Sequence, residues 1–200
     1  MRRVAGIDEA GRGPLAGPVV AAAVILRPGR RIAGVADSKT LSADDRAALD
    51  LVIRREALCF GIGWADRAEI DALNILQATF LAMRRAVLAM TLTPDHLLVD
   101  GNQLPQLGGL GRRLTARAIV GGDATEPAIS AASILAKVAR DCYMNHMDTI
   151  YPSYSFATHK GYGTPVHQRL LALHGPCPLH RRSFAPVRLA LEALPAGGTA

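Results

Sequence analysis

Apolar and polar positions along the chain form strand-like runs separated by helical repeats. Residues 18–26 read PVVAAAVIL, and this apolar run predicts a strand buried on both faces. Shorter runs at 4–8, 57–64, 96–102 and 114–123 predict four further strands. Because a glycine-rich turn separates the first two runs, we expect a hairpin-like connection between them.

Apolar residues spaced three or four apart predict two long helices. The first covers 67–90, on the positions Ile70, Leu73, Leu76, Phe80, Met83, Val87 and Met90. The second covers about 126–147, with Thr125 as its cap and Pro127 in its first turn.

This order of elements predicts an α/β fold in a single domain spanning residues 1–200. We expect a sheet-and-helix core over about 1–150, with Ser42 capping an early helix. A C-terminal helical extension follows over about 151–194, and residues 195–200 form a frayed tail.

Charge and composition narrow the partner and the compartment. The net charge of +6 and the pI of about 9.7 favour a polyanion such as nucleic acid, although a basic protein without such a partner has the same balance. No apolar run reaches the roughly 18 residues of a membrane helix, and the N-terminus lacks a signal peptide. Three scattered cysteines argue against a disulfide framework. We therefore expect a cytoplasmic protein that does not bind membranes.

Four acidic residues stand where predicted strands end. Asp8 and Glu9 end the first strand, Asp100 ends the fourth and Asp123 follows the fifth. Functional sites gather at strand ends in open sheets, and carboxylates held close together repel unless a hard cation such as Mg²⁺ or Mn²⁺ binds their oxygens. We favour a shared metal site over two alternatives, which are acids pointing separately into water and a carboxylate pair that hydrolyses a sugar bond.

Two other motifs predict no site of their own. GRGPLAG lacks the Gly-Lys-Ser/Thr of a phosphate-binding loop, and its G-x-G-x-x-x-G spacing disfavours a nicotinamide-dependent oxidoreductase. HGPCPLH spaces His174, Cys177 and His180 like metal ligands. Because no fourth ligand is near and prolines flank the cysteine, we expect no zinc site there.

Seven segments resemble the bacterial ribonuclease HII family in the same order, over nearly the whole chain. They are GIDEAGRGPLAGPVV, DSKTLS, EIDALNILQATFLAM, LLVDGN, GGDATEPAISAASILAKVARD, HKGYGTPVH and HRRSFAPV. The resemblance implies the ribonuclease H-like fold, a mixed five-stranded sheet with flanking helices. It also implies an endonuclease that hydrolyses the RNA strand of RNA–DNA hybrids. Such an enzyme also incises 5′ to ribonucleotides embedded in duplex DNA, leaving 5′-phosphate and 3′-hydroxyl ends.

The resemblance further implies roles for individual residues. The four strand-end acids would be catalytic carboxylates that hold Mg²⁺ or Mn²⁺ in a two-metal site. The turn Gly11-Arg12-Gly13 would read the 2′-hydroxyl that separates RNA from DNA. Tyr162 would stack on the sugar after the scissile junction.

Two lysines are the expected phosphate contacts, Lys39 and Lys137. On the second long helix Ser133, Lys137 and Asp141 fall at i, i+4 and i+8, on a face that we expect to point near Asp123 and to bind substrate. The alternative for Lys137 is a solvated ion pair with Asp141. Asp141 either supports the metal ligands from outside or rivals Asp123 as the fourth ligand.

One segment departs from the family's pattern. The family usually has Lys-Gly-Asp where this chain has Gly121-Gly122-Asp123, and GGLGRR lengthens the connection that follows Asp100. The candidates for a replacement cation are Arg112, Arg113 and Arg117.

Two rival readings and the state of assembly complete the predictions. The related ribonuclease HIII has an extra N-terminal substrate-binding domain, and Asp8 lies too close to the start of the chain for one. The presence of all four acids disfavours a non-catalytic nucleic-acid-binding domain. We expect a monomer whose partners are RNA–DNA hybrid and ribonucleotide-containing duplex DNA, and the sequence points to no protein partner.

Overall fold

A mixed five-stranded sheet forms the centre of the molecule. The computed structural model describes residues 2–29, 32, 34, 41–106, 108–110 and 114–193. The strands are β1 Val4–Ala10, β2 Val19–Leu26, β3 Ala57–Ala65, β4 His96–Asp100 and β5 Thr115–Ile119. Their order is β3-β2-β1-β4-β5, with antiparallel pairing among β1, β2 and β3 and parallel pairing of β4 with β1 and β5. The predicted α/β class and mixed sheet are confirmed.

Helices cover both faces of this sheet. They are α1 Ala43–Glu56, α2 Arg67–Leu73, α3 Ile75–Leu88, α4 Gly122–Thr125, α5 Pro127–Ile150, α6 Phe156–His159, α7 Pro165–His174 and α8 Ala185–Glu192. Side chains of β2 alternate between a core shared with α3 and a core shared with α1 and α5, which explains its wholly apolar sequence. Among the described helices, none combines the length and the apolarity that a membrane crossing requires.

β1 is longer than predicted. It continues to Ala10, because Glu9 and Ala10 still pair with Ala21 and Val20 of β2. Asp8 and Glu9 therefore belong to the last three residues of the strand, and β2 fixes their backbone. The hairpin-like connection to β2 is confirmed by this antiparallel register.

The helix predicted over 67–90 is wrong as one element. It breaks at Asn74, which has φ +72° and whose side-chain oxygen accepts hydrogen bonds from the amides of Leu76 and Gln77. The apolar repeat runs through the break, so periodicity alone predicts a continuous helix. Asn74 adopts φ +72° with ψ 164°, a combination that residues with a β-carbon rarely adopt, and its side chain caps the second helix, which gives α2 and α3.

The segment after β4 also differs from the prediction. β5 ends at Ile119, and Asp123 lies in the short helix α4 rather than directly after a strand. Thr125 ends α4 and does not cap α5, whose N-cap is Glu126 without a side-chain hydrogen bond. Pro127 occupies the first turn of α5 as predicted.

The remaining local predictions divide into three groups. The Ser42 cap is confirmed, since its hydroxyl accepts from the Asp45 amide. A 3₁₀ turn at Pro152–Tyr154 and helix α6 were not predicted. Lys39, Arg112, Arg113 and the tail 195–200 lie outside the described residues.

Candidate active site

Parallel pairing of β1 and β4 places two acids side by side. Ile7 is in register with Val99, so Asp8 and Asp100 occupy the next equivalent positions on neighbouring strands. The amide of Asp123 lies 3.4 Å from Oδ1 of Asp100, which ties α4 to the end of β4. The structure therefore brings these three acids to one edge of the sheet, as the strand-end argument predicts.

The carboxyl group of Asp8 is buried and surrounded by negative charge. Burial raises its pKa well above the ordinary value, and the charges of Glu9 and Asp100 raise it further. A hydrogen bond from the Ser133 side chain and one from the Glu9 amide, at 2.7 Å, act in the opposite direction. Ionised Asp8 is thus costly unless a cation lies near it.

Glu9 has a partial counter-charge. Burial raises its pKa, and Arg12, whose Nη1 lies 3.4 Å from Oε1 of Glu9, lowers it. The Arg12 side chain is half exposed, so this ion pair is screened by solvent and leaves the guanidinium free to move.

The donor set fits a hard divalent cation. Clustered carboxylate oxygens are the ligands that Mg²⁺ and Mn²⁺ prefer, and Mg²⁺ is commonly held by one or two carboxylates together with substrate phosphate and water. Within the described residues, no group of three or more His, Cys, Asp or Glu side chains is arranged so that it could hold a metal ion by itself. A cation at these acids would need further oxygen ligands, such as water or a substrate phosphate.

A cavity of about 460 Å³ opens beside Glu9. It gathers most of the predicted substrate-binding residues, since its lining includes Gly11, Arg12, Gly13, Ser133, Lys137 and Tyr162. Arg46 of α1 also lines it and was not predicted; the only signal was its place in the helix that follows DSKTLS.

Tyr162 lines this cavity and lies near two cations. The residue is 43% exposed, and Nζ of Lys137 and the guanidinium carbon of Arg140 each lie 5.8 Å from the ring centre. Gly13 lies beside the ring, because a β-carbon there would be in ordinary van der Waals contact with Cε1 of Tyr162, at 3.8 Å. An aromatic face, a small residue and the Lys137 ammonium group are thus available to one bound nucleotide.

The predicted helix face points mainly at β1. Ser133 reaches Asp8 and Lys137 lines the cavity, whereas the contact with Asp123 comes from Ser130, whose hydroxyl donates to its carbonyl at 2.5 Å. Asp141 pairs with Lys137 at 2.8 Å, so the ion-pair alternative is also realised.

Comparison with known proteins decides the family. A family model described as Ribonuclease HII matches residues 5–187. The chain belongs to the ribonuclease HII family. Ribonuclease HII of Bordetella pertussis is 56% identical over 185 residues, which are 92% of this chain and 90% of that protein. As a family member, the chain is a ribonuclease H-type enzyme, an endonuclease acting on RNA–DNA hybrids.

Solved structures share the fold. The ribonuclease H2 from Pyrococcus horikoshii OT3 is similar with a TM-score of 0.80 and 26% identity, covering 95% of this chain and 97% of that chain. Bst ribonuclease HIII, solved in complex with Mn²⁺, has a TM-score of 0.73 and 16% identity, covering 96% of this chain and 70% of that chain.

Gly121, where the ribonuclease HII pattern usually has lysine, lies in the left-handed region with φ +67° and begins α4. Arg117 is exposed on β5, and its charge contributes, after burial and Arg2, to lowering the pKa of His96 at the start of β4. In the strand register Arg117 lies in the middle of β5 and pairs with Leu98, two residues before Asp100. Arg117 as a replacement for the missing lysine stays a prediction.

In this ribonuclease HII family member, a buried arginine of the C-terminal segment binds the main chain of the Gly-Arg-Gly turn through hydrogen bonds. Arg181 is fully buried and donates to the carbonyl oxygens of Gly11, Arg12 and Gly17 at 2.6, 2.9 and 2.9 Å. Burial and the neighbouring Arg140 lower the pKa of Arg181 to about 9, so it remains charged at neutral pH.

Arg140 of α5 is the second buried arginine. It donates to the carbonyl oxygens of Ala16, Pro18 and Lys160 at 3.0, 3.0 and 2.9 Å. We call Arg140 and Arg181 the arginine clamp. Both lie in segments that resemble the family, VARD and HRRSF, but a sequence offers no signal that separates a buried arginine from a surface one.

Proposed function

We propose that this protein hydrolyses the RNA strand of RNA–DNA hybrids and incises 5′ to single ribonucleotides in duplex DNA, leaving 5′-phosphate and 3′-hydroxyl ends by two-metal catalysis. One observation carries the proposal. Asp8 and Asp100 lie side by side at the sheet edge, and the cavity beside the next residue, Glu9, is lined by the Gly-Arg-Gly turn and Tyr162.

The acids are the proposed ligands of Mg²⁺ or Mn²⁺. Asp8, Glu9, Asp100 and Asp123 would hold the cations. When bound, these cations supply activation of water and neutralisation of the charge that develops on the phosphate. The raised pKa values of Asp8 and Glu9 support this assignment, because these carboxylates need positive charge to ionise together.

The Gly-Arg-Gly turn is the proposed reader of the 2′-hydroxyl. Arg181 binds the carbonyls of Gly11 and Arg12, so the turn is rigid before substrate arrives. Gly13 has no side chain beside Tyr162, where a β-carbon would contact the ring, and this lets a sugar approach the main chain. A rigid polar turn of this kind distinguishes a ribose from a deoxyribose by one hydrogen bond.

Stacking and phosphate contacts complete the proposed site. Tyr162 presents an exposed ring for the sugar after the junction, and Lys137 lies close enough to contact a phosphate next to it. Lys39 and Ser133 are proposed to bind the same substrate, and Asp141 to orient Lys137 through their ion pair. Phosphate contacts of this type fix the register of the duplex and provide most of the affinity.

The decisive experiment uses three matched substrates of one sequence: a DNA duplex with one ribonucleotide, the all-DNA duplex and an RNA–DNA hybrid. With Mg²⁺ or Mn²⁺ we expect incision 5′ to the ribonucleotide, cutting of the hybrid and no cutting of DNA. A chelator should stop both reactions. Hybrid cutting without junction incision would remove the ribonucleotide-excision part of the proposal, and no cutting with either metal would overturn all of it.

A further inference from the structure

Three buried histidines lie directly behind Tyr162. The rings of His159 and His167 stack at 4.2 Å, and Nε2 of His167 lies 3.0 Å from Nε2 of His180. Nδ1 of His167 lies 2.9 Å from the carbonyl oxygen of Tyr162. All three side chains are buried, with His167 and His180 fully inaccessible. The catalytic proposal uses none of them.

Main-chain partners determine which nitrogen of each ring carries the proton. The amide of Cys177 donates to Nδ1 of His180 at 3.0 Å, so His180 is protonated on Nε2 and donates to His167. His167 is then protonated on Nδ1, where it donates to the Tyr162 carbonyl. The amide of Gly161 donates to Nδ1 of His159 at 3.1 Å, which leaves the proton on its Nε2.

If any of these rings took up a second proton, the new N–H would point at another N–H group instead of at an acceptor. In His159 and His180 it would face a main-chain N–H, and in His167 it would face the N–H of His180. Burial also lowers the pKa of His167 and of His180 to about 4. The network therefore holds together only in the uncharged state.

The other titratable and charged groups around the rings do not change this. Tyr154 and Cys177 keep their protons at neutral pH, because burial raises the pKa of both. Asp148 raises the pKa of His159 and Lys160 lowers it, with burial as the larger cause of its net decrease. The exposed His174 contacts the cluster only through the edge of Tyr154, with ring centres 5.9 Å apart.

We propose that His167, oriented by His180, is a positioning residue that fixes the main chain of Tyr162 and so sets the alignment of the sugar for cleavage. The inference rests on the proposed role of Tyr162 as the sugar platform. His167 touches neither substrate nor metal ligand. It acts through the hydrogen bond from its Nδ1 to the Tyr162 carbonyl. Because His180 donates to Nε2 of His167, the proton of His167 stays on Nδ1, where it makes this bond.

The first test is a double-mutant cycle on the duplex with one ribonucleotide, using His167→Leu, Tyr162→Ala and the combination. We expect His167→Leu to lower kcat roughly 10- to 100-fold with little change in KM, because misalignment affects the reacting geometry more than the phosphate contacts. In the Tyr162→Ala background the same substitution should have almost no further effect. Additive losses, or a Tyr162→Ala variant with normal kcat, would overturn the inference.

His167→Asn and His146→Leu are the matched variants. The asparagine amide can replace the Nδ1 donor, so we expect it to restore most of the lost kcat, whereas a purely structural role predicts no such rescue. His146 is an exposed histidine on α5, and its replacement should leave kcat unchanged. These measurements separate the two proposals: failure of the wild-type protein to incise would reject the function, and additivity in an active enzyme would reject only the positioning role.

The second test needs no activity and no variant that must fold. Nitrogen-15 NMR of the wild-type histidine rings should show His180 and His159 protonated on Nε2 and His167 on Nδ1, unchanged from pH 8 to about pH 5.5, where a free histidine is mostly charged. A charged His167 or His180 at pH 5.5, or the opposite tautomer of either, would overturn the inference.

Discussion

The carboxylate of Asp8 shows how the protein prepares a site for positive charge. Burial and two neighbouring acids oppose its ionisation, while its hydrogen bonds favour it. In the folded protein the ionised Asp8 is therefore unfavourable, and cations bound at this edge of the sheet would stabilise it. At the scale of single residues, this cost and the shape of the adjoining turn both lead to measurable predictions.

Replacement of Asp100 by asparagine should remove cleavage while leaving nucleic-acid binding intact. We expect a loss of roughly 10²- to 10³-fold or more in kcat on the RNA–DNA hybrid, because one proposed metal ligand is lost. The apparent Tm should also respond less to added Mg²⁺, since ligand binding stabilises the folded state. Asp95→Asn, before the other end of β4, is the matched control and should cleave normally. Near-normal cleavage by Asp100→Asn would contradict its proposed metal role.

The two glycines of the Gly-Arg-Gly turn should respond differently to alanine. A β-carbon at Gly11, where φ is +97°, would lie 2.1 Å from Nε of Arg140, so Gly11→Ala should lose about 2 kcal/mol or more of stability. Gly13→Ala meets only Tyr162, at 3.8 Å, and should keep the wild-type Tm. It should instead raise KM for ribonucleotide-containing duplex by narrowing the approach of the sugar. Thermal unfolding and steady-state kinetics of the pair check this, and equal losses of Tm would refute it.

At the scale of elements, hydrophobic patterning predicts which segments form the sheet, but it predicts less well where each strand or helix begins and ends. The apolar runs locate all five strands, because each presents a buried face that the composition must match. The ends of elements depend instead on particular hydrogen bonds. β1 runs past Asp8 because β2 supplies partners there, and Asp123 is placed by a turn of helix that two glycines begin.

Asn74 offers a test of how an element is ended. Asn74→Ala removes the side-chain oxygen that caps α3 and leaves a residue with a β-carbon at φ +72°, so we expect a loss of about 1–2 kcal/mol in the free energy of unfolding. Asn74→Gly loses the same oxygen but adopts this backbone conformation without a β-carbon, so it should cost only a few tenths of a kcal/mol. Urea unfolding of both variants measures the difference. Equal stabilities would mean that the break between α2 and α3 does not depend on this cap.

At the scale of the whole molecule, the arginine clamp joins distant parts of the chain. Arg181 donates to the carbonyl of Gly11, 170 residues earlier, and Arg140 donates to Ala16 and Lys160. Each buried guanidinium therefore depends on carbonyls supplied by segments that meet only in the folded protein. For this reason the clamp and the histidine network escape sequence patterning, whereas the strand-end acids do not. The C-terminal segment thereby becomes part of the candidate site that it supports.

The neutral histidines predict how stability depends on pH. The pKa of His167 and of His180 is about 4 in the folded protein, against an ordinary 6.5, so below pH 6.5 only the unfolded chain takes up these protons. Stability should therefore fall with decreasing pH, by on the order of 2 kcal/mol per ring at pH 5. Asp8 and Glu9 act in the opposite direction, because their raised pKa values let the folded state take up protons first.

A double variant, Asp8→Asn with Glu9→Gln, separates the two effects. It removes the contribution of the acids, so urea unfolding at pH 7.5 and pH 5.0 should show the full loss of stability due to the histidines. Adding His167→Asn should reduce that loss by on the order of 2 kcal/mol, the contribution of one ring, whereas adding His146→Leu, on an exposed position, should leave it unchanged. A stability of the double variant that is the same at both pH values would mean that His167 and His180 titrate normally. The network of uncharged histidines next to Tyr162 would then be contradicted.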